Sequence, residues 1–487
     1  MGLTELSELP VGQTLVLTIN NRLARTLTAK LGDTVTHGAT ELIKIEPWTA
    51  WLTNQVVERL YAGGEDGFSQ VLDSQTTRLV WADAIAKCEL ERSLIDIDQV
   101  ASIAADADAL IMNWHIEVSP AWYTPDHERF LNWRQAYEAR LQSLQAIDVA
   151  RVLAHVMKWI EAGEVSLPEH IVLMGFTELS AANQALLDSV AQAGTAISQL
   201  DVLRPELSAN VTKTALATPD QQWSAAIAWA RERLSDNPAG RFAIVVPSLQ
   251  NEATQARRLL DQQLDGRPYN VAVAPPLAHW PQARTMLDWL ELVVMMAERG
   301  QVEPALAGRA LLTGGCAGSL SEAGARAMLD ARGRHYQWLV LTRAGWQDEI
   351  SALPKLSQAW HSAMEVWLEM TGQSAACPER QERSERIEHL DWLEWANGFR
   401  RVLAALGFPG EGTLTSVQYQ TVAALDKLMS ALAVLDDCMP PPNAVEAWQM
   451  LARLANQTLF QPQRDPEARL DVLGLLEAEG GRWDGVW

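Results

Sequence analysis

The feature that most constrains this chain is a repeated pairing: a short β-branched apolar run, then a segment with apolar residues every three or four positions. TLVLTI (14–19) leads into NNRLARTLTAKLG, with Gly32 expected to end that helix. HIVLM (170–174) leads through GFTELS into AANQALLDSVAQAG, and RFAIVVP (241–247) into the helix EATQARRLLDQQL. Further runs of strand character occur at 41–46, at AISQLDV (196–202), at YNVAVA (269–274) and at LDVLGLLE (470–477), and Pro47 suits the first position of a helix. Runs of this length without polar alternation must be covered on both faces. Their alternation with helices predicts parallel sheet flanked by helices, an α/β fold.

Two long stretches break the alternation. From Trp48 to about Gly163 the spacing is helical almost throughout, in TTRLVWADAIAKC, ERFLNWRQAYEARLQSL and ARVLAHVMKWIEAG. From Pro281 to about Ala455 it is helical again, with loops at GGCAG, ACPE, GFPGEG and MPPPN. A chain of 487 residues exceeds one hydrophobic core. The simplest organisation is two α/β domains, each interrupted by a helical insertion. The first domain takes residues 1–47 and 165–205, with insertion 48–164. The second takes 206–280 and 456–487, with insertion 281–455.

Composition is that of a globular protein, 48% apolar and 21% charged. The formal charge of −22 argues against a general nucleic-acid coat, since neutralising phosphates takes clustered Lys and Arg, but leaves room for binding in a narrow channel. Cys88, Cys316, Cys377 and Cys438 are too dispersed for a zinc or iron–sulfur site and fit reduced thiols. The N-terminus lacks a basic segment followed by an apolar one, and the longest apolar run, near Leu290–Met296, is too short to span a bilayer, so a cytoplasmic location is expected, with no membrane partner. Tryptophan is abundant, at 20 residues. Its positions in amphipathic patterns predict core packing, with a few exposed as platforms for stacking bases.

Several chemistries are missing. No G-x-x-x-x-G-K-[ST] loop is present. Gly63-Gly64-Glu65-Asp66-Gly67 and Gly407-Phe408-Pro409-Gly410-Glu411-Gly412-Thr413 lack the lysine, and both are expected to be turns. No strand carries the acid-x-Lys pattern of a metal-dependent nuclease, and neither H-E-x-x-H nor G-x-S-x-G occurs. No metal and no cofactor is predicted.

The layout resembles superfamily I helicases of the UvrD/Rep type, and more closely the AddB/RecB-like helicase-nuclease repair proteins. TLVLTINNRLARTL is similar to their strand-then-helix start, and IEPWTAWL to the Pro-Trp opening of the first insertion. HIVLMGFTELSAANQALLDSV resembles the Walker B strand and its Gln-containing helix. RFAIVVPSLQNEATQARRLLDQQLDGRPYNVAVAPPLAHWPQARTMLDWLEL resembles the opening of the second RecA-like domain. LGFPGEGTLTSVQYQ and the segment from Phe460 to Trp487 look specific to the repair branch. The resemblance implies two RecA-like parallel-sheet domains with helical insertions, and a C-terminal end that is incomplete at Trp487, where relatives continue into a PD-(D/E)XK nuclease. It also implies contacts to DNA, single-stranded or with an end, through Asn20, Asn21, Arg22 and Arg25, and a motor helicase subunit or other repair protein as partner.

The departures from the pattern matter equally. Where active members place Asp-Glu to hold magnesium, this chain has Met174 and Gly175. Where they place a phosphate-contacting arginine after the IVV strand, it has Pro247. With the lysine also missing, a degenerate nucleotide site without ATPase activity is expected. Glu178 lies off the strand end. Gln184 is expected to keep a structural hydrogen bond. LTRAG (341–345) resembles helicase motif six but precedes the strand it should follow, so it is taken as coincidence. Trp48 and Trp51 are expected to anchor the insertion in the core, and Arg257 and Arg258 to sit on a helix surface. Arg22 and Arg25 bind DNA phosphate or a base on one reading; on the other they lie on a solvated helix face with Arg25 paired to an acid. Two functions follow: a DNA-binding, ATPase-inactive repair subunit, or a protein-interaction scaffold without its own DNA binding.

Overall fold

A computed structural model describes residues 10–34, 43–63, 66–89, 96–176, 178–200, 211–372, 390–463, 465, 467–478, 481 and 483–487. The protein is mixed α/β with parallel sheets and divides into two compact units, residues 1–272 with 465–487, and residues 273–464. The first unit runs β1 (Thr14–Thr18), α1 (Asn21–Thr34), β2 (Lys44–Pro47), α2 (Trp48–Tyr61), β3 (Gln70–Leu72), α3 (Ser74–Cys88), α4 (Ile97–Trp114), α5 (Pro125–Ser143), β4 (Ala146–Asp148), α6 (Val149–Glu161), β5 (His170–Met174), α7 (Ala181–Gln192), β6 (Ala196–Leu200), α8 (Pro219–Asp236), β7 (Phe242–Val245), α9 (Leu249–Gln263) and β8 (Tyr269–Val271).

Strands β1, β2, β5 and β6 form one parallel sheet in the order β2-β1-β5-β6. Both faces are covered because side chains alternate. Leu15, Leu17, Ile171 and Leu173 point into a core with Trp48, Trp51 and Val56 of α2, Val156 and Trp159 of α6, and Leu186 and Val190 of α7. Val16, Val172 and Met174 point the other way, onto Leu23 and Leu27 of α1. Each such side chain contributes roughly 1.5–3 kcal/mol when fully buried. Trp48 and Trp51 are therefore core anchors. Pro47 is the last residue of β2 and the N-cap of α2, one position earlier than expected, and α1 runs through Gly32 to Thr34. Residues 41 and 42 lie outside the described residues.

The 48–164 segment is mainly helical but contains the two-stranded parallel pair β3–β4, whose three-residue strands are too short to show a period. A buried ionic network fastens its helices. Asp108 of α4 lies 2.6 Å from Nε of Arg134 and accepts from Nη1 of Arg151 at 2.9 Å. Asp148 accepts from Nη1 of Arg151 at 2.6 Å and from the Tyr137 hydroxyl at 2.6 Å, and its other oxygen caps α6 through the Arg151 backbone N–H. Tyr137 stacks on Trp81 at 4.2 Å. Burial and the Asp148 carboxylate push its phenol far up, so it stays a proton donor.

The second sheet has the order β12-β7-β11-β8, all parallel, with β11 (Leu470–Leu473), a short helix α18 (Leu475–Ala478) and β12 (Gly485–Val486) returning after the second unit. Asp471, buried on central β11, accepts from Nη2 of Arg241, Nδ2 of Asn270 and Nε1 of Trp483. On α9, Arg257 is half-buried and Arg258 exposed.

The second unit is helical: α10 (Pro281–Arg299), α11 (Pro304–Thr313), α12 (Ala323–His335), α13 (Arg343–Ile350), α14 (Pro354–Met370), α15 (Trp392–Leu406), α16 (Ser416–Ala433) and α17 (Ala444–Gln457), with a small antiparallel pair, β9 (Gln301–Val302) and β10 (Leu341–Thr342). Capping boxes start α15, α16 and α17 at Asp391, Thr415 and Asn443. Arg343, the arginine of LTRAG, donates to the Met296 and Ala297 carbonyls and so caps the end of α10. The GGCAG and GFPGEG loops pack together. Gly410 sits so close to Gly315 that a Cβ on it would meet the Gly315 Cα at 2.9 Å. Glu411 accepts from Lys355 Nζ at 2.6 Å and from the Leu320 and Ser321 backbone. Residues 376–379, the ACPE loop, lie outside the described residues.

Two predictions follow from this packing. Asp108→Ala removes the buried carboxylate that Arg134 and Arg151 share, while Arg151 keeps Asp148 and Arg134 keeps only Glu138, at 3.5 Å, and should cost about 1–3 kcal/mol in urea unfolding. The Lys355 ammonium and the Ser321 and Leu320 amides hold the Glu411 carboxyl down to about 2. A depressed carboxylate stabilises the fold above its unfolded value and loses that contribution as pH falls through its folded value. The stability difference between wild type and Glu411→Gln should therefore be constant above about pH 5 and vanish towards about pH 2 in unfolding curves taken across pH.

Candidate functional site

In an open parallel sheet the ligand crevice forms at the carboxyl ends of two adjacent strands whose connections leave in opposite directions. Here those strands are β1, which leads through α1 to β2, and β5 on its other flank. A phosphate site at this point needs an open loop of free backbone N–H groups before the helix.

That space is filled. Only Ile19 and Asn20 connect β1 to α1. The Ile19 N–H donates to the Met174 carbonyl at 3.2 Å, closing the β1–β5 ladder at its last pair, Thr18 with Met174. Asn20 Oδ1 accepts the Leu23 N–H at 2.8 Å and caps α1, while the Thr18 hydroxyl donates to the Asn20 carbonyl at 2.9 Å. Gly175 has φ +82°, and a Cβ there would lie 2.8 Å from Cδ2 of Leu23 and 3.1 Å from Cγ2 of Ile19. No acidic side chain fits at that position. The Met174 side chain is buried on the α1 face of the sheet. Phe176 is buried edge-on against Trp48, ring centres 5.9 Å apart, and its carbonyl accepts from Nε2 of Gln199. Met174 and Gly175 are thus packing residues.

The corresponding edge of the second sheet is also committed. The Val246 N–H donates to the Leu473 carbonyl, Pro247 is exposed and has no N–H, and the Ser248 hydroxyl donates to Glu252, which also accepts from Nε1 of Trp223.

The DNA-contact residues named from sequence are divided by the geometry. Asn20 is a helix cap with its side-chain oxygen in use. Asn21 and Arg25 are exposed on α1, in line with exposed Thr28 and opposite the buried Leu23, Ala24 and Leu27. Among the described residues no carboxylate pairs with Arg25. The side chain of Arg22 lies outside the described residues. Gln184 donates to Asp188 on the surface of α7, a local helix pair away from the strand end, and Glu178 is exposed. Sequence reasoning missed Ile19 and Leu23, which seal the crevice. The shortness of the link between TLVLTI and the helical period was the available signal.

Elsewhere, among the described residues, no group of three His, Cys, Asp or Glu could hold a metal ion. A groove of about 580 Å3 in the second unit is lined by Leu311, Leu312, Leu329, Trp338, Leu339 and Trp346. Of its charged rim, Arg334 pairs with Asp330, Glu349 with Arg332, and Arg309 with Asp288 and Glu291. No nucleophile and base converge there.

Gly175→Ala adds both left-handed strain and a clash, and should destabilise by about 1–3 kcal/mol in urea unfolding. Gly163→Ala, at φ +71° with open space around it, should lose about 1 kcal/mol or less. Compared with protein-family models and with curated proteins, the chain matches none.

Proposed function

We propose that this chain is a helicase-shaped, ATPase-inactive subunit or region of a DNA double-strand-break repair helicase-nuclease, one that holds DNA without driving it. The carrying observation is the closed turn at β1–β5, where Ile19, Leu23 and Gly175 occupy the space that phosphates need. A RecA-like reading of both sheets is supported by the order β2-β1-β5-β6, with α1 on one face and α2, α6 and α7 on the other, and by a second all-parallel sheet. DNA contact through α1 is supported by the exposed stripe of Asn21, Arg25 and Thr28, in which the guanidinium has no carboxylate partner among the described residues. Any motor activity then belongs to a partner subunit.

A second reading, a scaffold that binds proteins and not DNA, is favoured by the charge of −22. Fluorescence anisotropy with a labelled single-stranded oligonucleotide across a salt series separates the two. The first reading expects affinity that falls with salt, a salt slope shallower by roughly 0.7 for Arg25→Ala, and no DNA-stimulated ATP hydrolysis. Absence of binding at about 50 mM salt would overturn the first reading and leave the second, and DNA-stimulated hydrolysis would overturn both.

A further inference from the structure

The link between α4 and α5 is unlike the rest of the first unit. Every residue from Trp114 to Asp126 is exposed. The segment nevertheless carries Trp114, Ile116, Val118, Trp122 and Tyr123, and Trp122 is 79% exposed. On α4 itself Ile103 and Leu110 face solvent, three turns and one turn before Trp114. Most tryptophans of this chain are core residues, so a run of solvent-facing aromatics is a departure that a folded domain does not retain for its own stability. Trp and Tyr are also the side chains that carry most binding energy at protein interfaces.

The start of the segment borders a cavity of about 420 Å3. Its walls come from Ile111 and Met112 at the end of α4, Leu153 and Met157 of α6, and Ala182 and Ala185 of α7; His115, Ile116 and Glu117 form part of its rim. The walls are apolar and half-buried to buried, large enough for one bulky side chain. The Arg134 guanidinium that reaches the cavity is already engaged by Asp108.

Charge selects the occupant. From Asp96 to Glu128 the sequence contains no Lys or Arg. Asp106, Glu117 and Glu128 are exposed, and no basic side chain pairs with them among the described residues. Arg129 approaches Asp126 only at 3.9 Å. Phosphates and anionic headgroups are repelled by such a rim. A second copy would bring the same carboxylates together, from a chain of charge −22.

We infer that the α4–α5 link and the cavity beside it form a docking surface for a protein segment with a bulky apolar anchor flanked by lysine or arginine. The anchor enters between α4, α6 and α7. The flanking cations meet Glu117 and its acidic neighbours, and Trp114 and Trp122 cover the apolar remainder. This surface is independent of α1 and does not rest on DNA binding.

The test uses the full chain and a fluorescein-labelled, 16-residue amphipathic helix of leucine and lysine, read by anisotropy. Two matched peptides serve as controls, one with glutamate for lysine and one with serine for leucine. Saturable binding of the leucine–lysine peptide is expected, with at least tenfold preference over both controls. Ile116→Asp, Glu117→Lys and Trp122→Ala should each weaken it about tenfold or more. These positions are exposed, so circular dichroism and the thermal midpoint should stay unchanged. Charge reversal at Glu298, exposed in the other unit, should leave binding unchanged.

Equal binding of the serine–lysine peptide would reduce the effect to net charge and overturn the proposal. So would indifference to the three variants, or a homodimer in light scattering that Ile116→Asp dissolves. Loss of single-stranded DNA or neutral-vesicle binding in Trp122→Ala, in place of peptide binding, would assign the surface to those ligands and overturn it equally.

Discussion

The backbone bond from Ile19 to Met174 and the glycine beside it set the character of the first sheet. A ladder paired to the last residue of both strands and followed at once by a two-residue turn leaves no open loop where a ligand-binding sheet has one. Gly175 makes this possible, because only a residue without Cβ tolerates both its φ and the approach of Leu23. The α1 helix can then start at once, with Asn20 as its cap. The consequences spread outward. Leu23 and Leu27 gain Met174 and Val172 as core partners, and Phe176 is held against Trp48, which joins the sheet to the first long helical segment.

The two helical segments solve the same burial problem differently. In 48–164, charged groups lie inside: Asp108 and Asp148 are nearly fully buried and are paid back by arginines from neighbouring helices and by the Tyr137 hydroxyl. Such a network is directional and fixes helix register, because each arginine must meet its carboxylate. The second unit relies on aromatic bulk, with Trp346 against Trp360 and Trp367 against Trp395, and on capping boxes that start three of its helices at defined residues. Among its described residues Arg326 is the one fully buried arginine, and it lies beside the Cys316 thiol and the Ala317 carbonyl.

Much of the architecture was legible because strand and helix periods are local. Each of the seven apolar runs contains a strand, and the covering of both sheet faces follows from runs without polar alternation. The two small strand pairs were not legible, since two or three residues carry no period. Roles at the site were harder. Asn20 has the composition of a nucleic-acid contact and the geometry of a helix cap; the two differ only in where Leu23 N–H points. Met174 and Gly175 were recognised as unable to hold a metal, but their contribution to closing the crevice depends on Ile19 and Leu23, which no motif marks. Tryptophan exposure was likewise undecidable locally, because Trp81 and Trp122 both sit among helical patterns, and one is stacked on Tyr137 while the other faces solvent.

By itself the sequence determined which of the longer segments become strands and helices, that the strands of the two larger sheets would be buried on both faces, and that no lysine loop or acid pair for nucleotide chemistry is present. Those properties depend on side-chain type and spacing over a few residues. Tertiary structure alone decided that the crevice between β1 and β5 is shut, that buried carboxylates of α4 and β4 share an arginine, and that the aromatics after α4 are left uncovered. Each depends on atoms distant in the chain approaching within a few ångströms, and spacing along a sequence carries no such distance.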